Sequence, residues 1–257
     1  VLAHGDWLEE EVRQIAGLLE RELTPLSLPS RETRRRLVDI SQRGTLRREL
    51  NCPHQDSALL IYYQSPTTHP REIAYFTLAN HMLASTFFHE LRTRQQLGYV
   101  VGTGNLPLNR HPGLILYVQS PVAGPQALLD AIELFIDDFY LVLMELSEQA
   151  WQESKQGLLS QLQEKDANLR TRSQRLWVSI GSRDFQFDQR ERVAAAVAAM
   201  SRAELIRFLR SLRSHQADRL ILCSYGDAHQ QSERILEGEV IEDLESFQRH
   251  SRKYCHY

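Results

Sequence analysis

Two side chains seven positions apart, Arg92 and Tyr99, carry donor groups that could bind one carbonyl oxygen together. Arginine is a permanent cation with a planar fork of N–H donors, and tyrosine presents a phenolic O–H on a stiff ring. Both donors can converge on one carbonyl oxygen, or on the oxyanion that develops when a peptide bond is attacked. Neither group activates water, so the pair predicts substrate binding or transition-state stabilisation and not a complete catalytic centre.

The segment around this pair predicts a helix, a sharp turn and a strand. An apolar helical pattern runs from 72 to about 96, Gly98 breaks it, and a β-branched strand follows over 99–104. We expect Gly98 to serve backbone geometry. Phe87 and Phe88 are predicted to lie in the core, although one of them could line a hydrophobic substrate pocket.

Each member of the pair also has a purely structural interpretation. A cation at a helix C-terminus interacts favourably with the helix dipole, so Arg92 could serve only to end the helix. Tyr99 could be a half-buried aromatic residue of a strand. Arg94, Gln95 and Gln96 are predicted to be solvated or to pack at the turn. The residues alone leave these alternatives open.

The remaining chain predicts strands near both ends and a helix-rich middle. Further strands are predicted over 37–40, 44–50, 57–64, 113–119 and 219–225, and further helices over 125–146, 148–162, 169–180, 189–199 and 202–212. This order favours an α+β two-layer sandwich, in which an antiparallel sheet has helices packed on one face. We assign one domain to residues 1–225 and interpret residues 226–257 as a polar, partly irregular C-terminal extension.

Composition limits the classes of partner. The chain has 257 residues, 42% of them hydrophobic, and a net charge of −3, which together predict a globular core and neither a nucleic-acid nor a membrane partner. Three widely spaced cysteines do not form a disulfide framework or a zinc knuckle. A basic run at 31–36 is interpreted as a solvated face, with an anionic-ligand contact as the alternative.

The histidine pattern predicts no metal site in this chain. Ten histidines are scattered, and no pair of them brackets a carboxylate at helical spacing. His89-Glu90 has no second histidine at a usable distance. His81 and His89 are eight residues apart, roughly two helical turns, which is too far to share a metal easily.

The segment Leu91–Tyr99 reads Leu-Arg-Thr-Arg-Gln-Gln-Leu-Gly-Tyr. It resembles the LRT-x-x-QLGY signature in the C-terminal half of the insulinase-type (pitrilysin, M16A) zinc metallopeptidases. Weaker similarities to that family follow the same order along the chain, at Ala3–Asp6, Ile61–Gln64, Tyr117–Ser120 and Phe185–Asp188. The resemblance covers roughly residues 1–225.

The resemblance implies that 1–225 is an M16-type C-terminal peptidase domain. In that family a His-x-x-Glu-His motif and a distant Glu bind zinc in the N-terminal domain, so zinc is expected in the full-length enzyme with ligands outside this chain. This chain alone is expected to bind none and to be inactive. Arg92 and Tyr99 would be the catalytic and substrate-binding residues, reaching into an enclosed chamber. The implied partners are peptide substrates and the zinc-bearing N-terminal half of the same polypeptide.

Two alternatives stay open within the resemblance. The chain could belong to a catalytically inactive M16-fold scaffold or binding subunit, although such a scaffold has no evident use for both Arg92 and Tyr99. It could also belong to an M16 peptidase that trims a precursor peptide in cofactor biosynthesis of the pyrroloquinoline quinone (PQQ) type. Gln161-Leu162 stands where animal insulysins carry a basic pair of a polyanion site, so anion activation is not expected. The compartment is left open, periplasm or cytoplasm if the protein is bacterial.

Overall fold

The computed structural model describes residues 2–23, 36–214 and 217–255. Most of the basic run, residues 31–35, lies outside this range. The described strands are β1 (Arg36–Val38), β2 (Thr45–Glu49), β3 (Ser57–Gln64), β4 (Val100–Asn105), β5 (Gly113–Ser120), β6 (Arg219–Ser224), β7 (Glu239–Val240) and β8 (Lys253–Cys255). The described helices are α1 (Glu9–Leu23), α2 (Pro70–Phe88), α3 (Pro125–Glu145), α4 (Glu148–Gln163), α5 (Leu169–Gly181), α6 (Gln189–Ala199), α7 (Arg202–Leu212) and α8 (Leu244–His250).

Six of the strands form one sheet in the order β4-β5-β3-β6-β2-β7. The first four are antiparallel neighbours, and β3 pairs with β5 along its whole length. β2 instead lies parallel to both β6 and β7. The expectation of a purely antiparallel sheet is therefore corrected at this end. β2 and β6 are separated by most of the chain and no hairpin joins them, so nothing forces them into opposite directions.

Helices cover one face of the sheet, which confirms the predicted α+β two-layer architecture. Leu59, Ile61 and Tyr63 alternate along β3 and point into the main core, where they meet buried side chains of α2 and α3. The intervening Tyr62 points to the opposite face and packs in a smaller cluster with Leu46. Since β3 is buried on both faces, its sequence is a nearly continuous apolar run.

The polar segment after residue 225 is joined to this framework. β7 extends the sheet beside β2, and β8 pairs with β1 in a separate two-stranded ribbon. Ile235 and Ile241 are buried, each in one of the two apolar clusters. The domain division at residue 225 stays a prediction, and the residues beyond it contribute pairing and apolar contacts to the fold.

No helix within the described residues is both long and apolar enough to cross a membrane.

Candidate functional site

A π-helical turn, His89–Arg94, continues α2 without a break and carries Arg92. The Gln95 amide donates to the carbonyl oxygen of Glu90 at 2.9 Å, a bond that spans five residues instead of four. Gln96 then adopts a left-handed conformation with φ of 54°, which ends the turn. Single π turns are rare and occur frequently at functional sites, because the wider turn changes where its side chains point.

Gly98 joins this turn to β4 by close packing against β5. A Cβ atom at this position would lie 1.8 Å from the carbonyl oxygen of Gln119, so no larger residue fits without moving the backbone. Gly98 therefore serves backbone geometry, as predicted. Leu91, fully buried within the π turn, fixes the other side of the junction to the core. Arg92 and Tyr99 consequently stand on a short connection that is held at both ends.

Arg92 and Tyr99 lie side by side at the surface. The guanidinium carbon of Arg92 is 5.9 Å from the centroid of the Tyr99 ring and 4.8 Å from the centroid of the Phe88 ring. Tyr99 is 80% exposed. Among the residues that the structure describes, none forms a hydrogen bond or an ion pair with the Arg92 guanidinium or the Tyr99 hydroxyl. Both sets of donors therefore remain available to a ligand.

The prediction that Phe87 and Phe88 are both core residues is wrong for Phe88. Phe87 is fully buried, whereas Phe88 is 40% exposed and packs on Arg92. Neighbouring positions on a helix differ by about 100° in direction, so only one of two adjacent residues can face the core fully. The alternative that one of the two lines a substrate pocket therefore stays open for Phe88, which stands four positions before Arg92 on the same helical face.

The other polar residues of the turn stabilise it. Arg94 Nη1 lies 3.0 Å from Glu90 Oε2, and Gln95 Nε2 donates to Glu90 Oε1 at 3.0 Å. Glu90 thus pairs with Arg94 and leaves Arg92 without a carboxylate partner among the described residues. This agrees with the interpretation of Arg94 and Gln95 as solvated residues that pack at the turn.

Metal-ligating residue types lie apart from one another in the fold. His81 is half-buried under α4, and His89 is exposed on the π turn. Cys52 is an exposed thiol, and burial raises the pKa of the Cys223 thiol to about 11. Within residues 2–23, 36–214 and 217–255, no three His, Cys, Asp or Glu side chains are grouped to hold a metal ion. The described residues therefore offer no grouped ligands for zinc, whose ligands the family resemblance places outside this chain.

Comparisons with known proteins agree on one family. The family model described as PQQ synthase PqqF-like, C-terminal lobe domain 4, matches residues 78–177. A nardilysin-like protein of Arabidopsis thaliana is 28% identical over 212 residues, which cover 80% of this chain and 21% of that protein. Human insulin-degrading enzyme is 27% identical over 224 residues, or 85% of this chain and 22% of the enzyme. The chain spans about a fifth of the length of these curated relatives.

The same fold occurs in a solved peptidase structure. The crystal structure of pitrilysin superposes with a TM-score of 0.85 over 98% of this chain and 27% of the pitrilysin chain, at 20% sequence identity. The matched family model lies across the segment that contains the π turn, Gly98 and β4. In both sequence and fold, the chain is therefore similar to C-terminal domains of the insulinase/pitrilysin (M16) peptidases.

Proposed function

We propose that this chain is the non-zinc C-terminal domain of an insulinase-family zinc metalloendopeptidase. It would close the chamber in which peptides are cleaved and would supply Arg92 and Tyr99 to the substrate. Zinc and its ligands would belong to the N-terminal half of the same polypeptide and would activate the attacking water. The relatives named above are peptidases of this family, which supports the general class of reaction.

The proposal is supported by Arg92 and Tyr99, which stand on one short connection and whose donors no described residue occupies. The guanidinium group would donate N–H bonds, and the Tyr99 hydroxyl an O–H bond, to the carbonyl oxygen of the peptide bond or to a neighbouring amide carbonyl. As the carbonyl carbon becomes tetrahedral, its oxygen gains negative charge and these bonds strengthen. Removal of one such donor in other enzymes costs on the order of 10²–10³ in kcat.

Two arginines of the same turn make a matched test in the complete polypeptide. Arg92→Met keeps the apolar stem and removes the free donors, so kcat/KM for cleavage of insulin B chain is expected to fall about 10²–10³-fold. Arg94→Met removes a cation of the same turn that already pairs with Glu90, and is expected to have little effect. Equal effects of the two variants would contradict a substrate role for Arg92. Absence of cleavage by the unmodified polypeptide would favour the inactive scaffold.

A second candidate substrate follows from the matched family model, whose description refers to PQQ synthase. In that case the same residues would hold a precursor peptide of cofactor biosynthesis. Parallel kcat/KM measurements with insulin B chain and with the precursor peptide of PQQ would separate the two substrates. Strong preference for the precursor would support the biosynthetic role, and no preference would support a general endopeptidase.

A further inference from the structure

We infer that the outer edge of β4 binds an extended segment of the peptide substrate as an additional strand of the sheet. This inference rests on the proposed function, since it specifies how the substrate that Arg92 and Tyr99 contact would be held. β4 is the terminal strand of the six-stranded order, and β5 is its only partner among the described strands. Peptides commonly bind to such an edge through main-chain hydrogen bonds.

The ladder between β4 and β5 determines which backbone groups face outward. The Leu106 amide donates to the Gly113 carbonyl oxygen at 2.9 Å, immediately beyond the paired residues of the two strands. In an antiparallel ladder the hydrogen-bonded pairs recur at every second residue. Gly104, opposite Ile115, and Gly102, opposite Tyr117, therefore direct their N–H and C=O groups toward β5.

The alternate residues, Val101, Thr103 and Asn105, direct their N–H and C=O groups away from β5. Among the described residues, no backbone or side-chain group bonds to these outward groups. These outward donors and acceptors recur every two residues, beside a buried Val101 side chain, a half-buried Thr103 and an exposed Asn105. An extended peptide matches this spacing because its own outward groups also recur every second residue.

The edge lacks the features that protect free edges from pairing. Its sequence, Val-Val-Gly-Thr-Gly-Asn, contains no charge and no proline, and its register with β5 is continuous without a bulge. Natural proteins usually block exposed edges with such features, so an edge without them is a template for another strand. Gly102 instead makes room for the Tyr117 ring of β5, since a Cβ atom there would lie 2.6 Å from the Tyr117 hydroxyl oxygen.

The outer edge of β4 lies next to Arg92 and Tyr99 in the chain. Tyr99 directly precedes β4, so a strand added beside Val101 reaches the Tyr99 ring within two residues, or about 7 Å. The Thr103 hydroxyl donates to Asn80 Oδ1 of α2 at 2.8 Å, which ties the edge to the helix that leads to Arg92. An added strand would therefore present its next carbonyl groups to the Arg92 and Tyr99 donors.

Residue-resolved amide exchange in the 257-residue chain tests the inference, with insulin B chain as the probe. Bound peptide is expected to slow exchange at Val101, Thr103 and Asn105 by about tenfold or more, because these amides gain an acceptor. Gly102 and Gly104 already donate to β5 and are expected to change little. Unchanged exchange at the three outward amides, or equal slowing at all five, would overturn the inference.

A proline at the edge provides an independent test through affinity. Thr103→Pro removes one outward N–H, and its Kd for insulin B chain is expected to rise about tenfold. Thr103→Val also loses the bond to Asn80 but keeps the N–H, so its Kd is expected to match that of the unmodified chain. Equal affinities of all three proteins would contradict edge binding. Tyr99→Phe is expected to keep the slowed exchange at the three outward amides, because the hydroxyl takes no part in strand pairing. Failure of the catalytic role would appear in cleavage, and failure of edge binding would appear in amide exchange and in Kd.

Discussion

The guanidinium carbon of Arg92 lies 5.9 Å from the centroid of the Tyr99 ring, across a π-helical turn and a glycine. Phe88 lies near the same guanidinium at 4.8 Å. Contact with aromatic rings restricts the orientations of a guanidinium group without consuming its N–H donors. The Arg92 guanidinium is therefore restricted in orientation while its N–H donors stay available, which would suit the oxyanion contact proposed for it.

Phe88 is expected to matter for activity more than for stability. Phe88→Ala removes an exposed ring beside Arg92, so kcat/KM of the complete polypeptide should fall about two- to fivefold, the equivalent of a cation–π contact of about 0.5–1 kcal/mol. Phe87→Ala empties a fully buried position and should lower the free energy of unfolding by about 3–5 kcal/mol. Cleavage assays and urea unfolding check both effects. A Phe88→Ala variant as unstable as Phe87→Ala would show that Phe88 is a core residue.

Gly98 is expected to tolerate no side chain. In Gly98→Ala the new Cβ would lie 1.8 Å from the Gln119 carbonyl oxygen, so the junction must shift, at a cost of about 1–3 kcal/mol or more in unfolding free energy. Gly17→Ala is the matched control, because a Cβ atom at Gly17, in α1, would meet no described atom within 4 Å beyond its own helix backbone. Urea unfolding of both variants measures the difference. Equal stabilities would contradict the close packing of Gly98 against β5.

Most element boundaries could be predicted from residue patterns. The apolar alternation of β3 and the helical spacing of α3 are strong local signals, and both elements lie where they were predicted. The capping box of α7 could also be predicted, because Ser201 and Glu204 stand three positions apart at the start of an apolar helical pattern. In the structure each side chain accepts a hydrogen bond from the other residue's backbone amide. The α+β architecture followed from the order of these elements.

Other features depend on contacts that the sequence does not encode locally. The π turn follows α2 and replaces four-residue hydrogen-bond spacing with five-residue spacing, as in Gln95 to Glu90, without altering the apolar spacing of α2 itself. Periodicity therefore does not reveal it. The exposure of Phe88 depends on which side of α2 faces the sheet. The parallel pairing of β2 with β6 joins residues from opposite ends of the chain, as in Thr45 opposite Arg219. The position of β4 at the end of the described sheet follows only from the strand order.

Glu204 is expected to contribute pH-dependent stability. Hydrogen bonds from the Ser201 backbone amide and hydroxyl, with Arg71 nearby, lower the pKa of the Glu204 carboxyl from 4.5 to about 2. Between these values the unfolded chain binds more protons than the folded chain. The contribution is therefore complete above the unfolded pKa and is lost as the pH falls toward 2.

The variant Glu204→Gln isolates this contribution, because glutamine can accept the Ser201 amide bond but does not titrate. Urea unfolding at a series of pH values should show that the unmodified chain loses more stability than the variant between about pH 5 and pH 2.5. Other carboxylates with a lowered pKa, such as Asp39 and Asp166, are present in both proteins. Their contributions therefore cancel when the unfolding free energy of the variant is subtracted from that of the unmodified chain at each pH. Identical pH profiles would show that Glu204 has an ordinary pKa in the folded chain.

Cleavage of insulin B chain by the complete polypeptide, unmodified and with Tyr99→Phe, separates a substrate role of the Tyr99 hydroxyl from a structural one. Phenylalanine keeps the ring beside Arg92 and removes only the hydroxyl donor, so we predict a fall in kcat/KM of about 10²–10³-fold, carried mainly by kcat, with folding and zinc content unchanged. Cleavage by Tyr99→Phe at the unmodified rate would contradict the account and would assign Tyr99 a structural role.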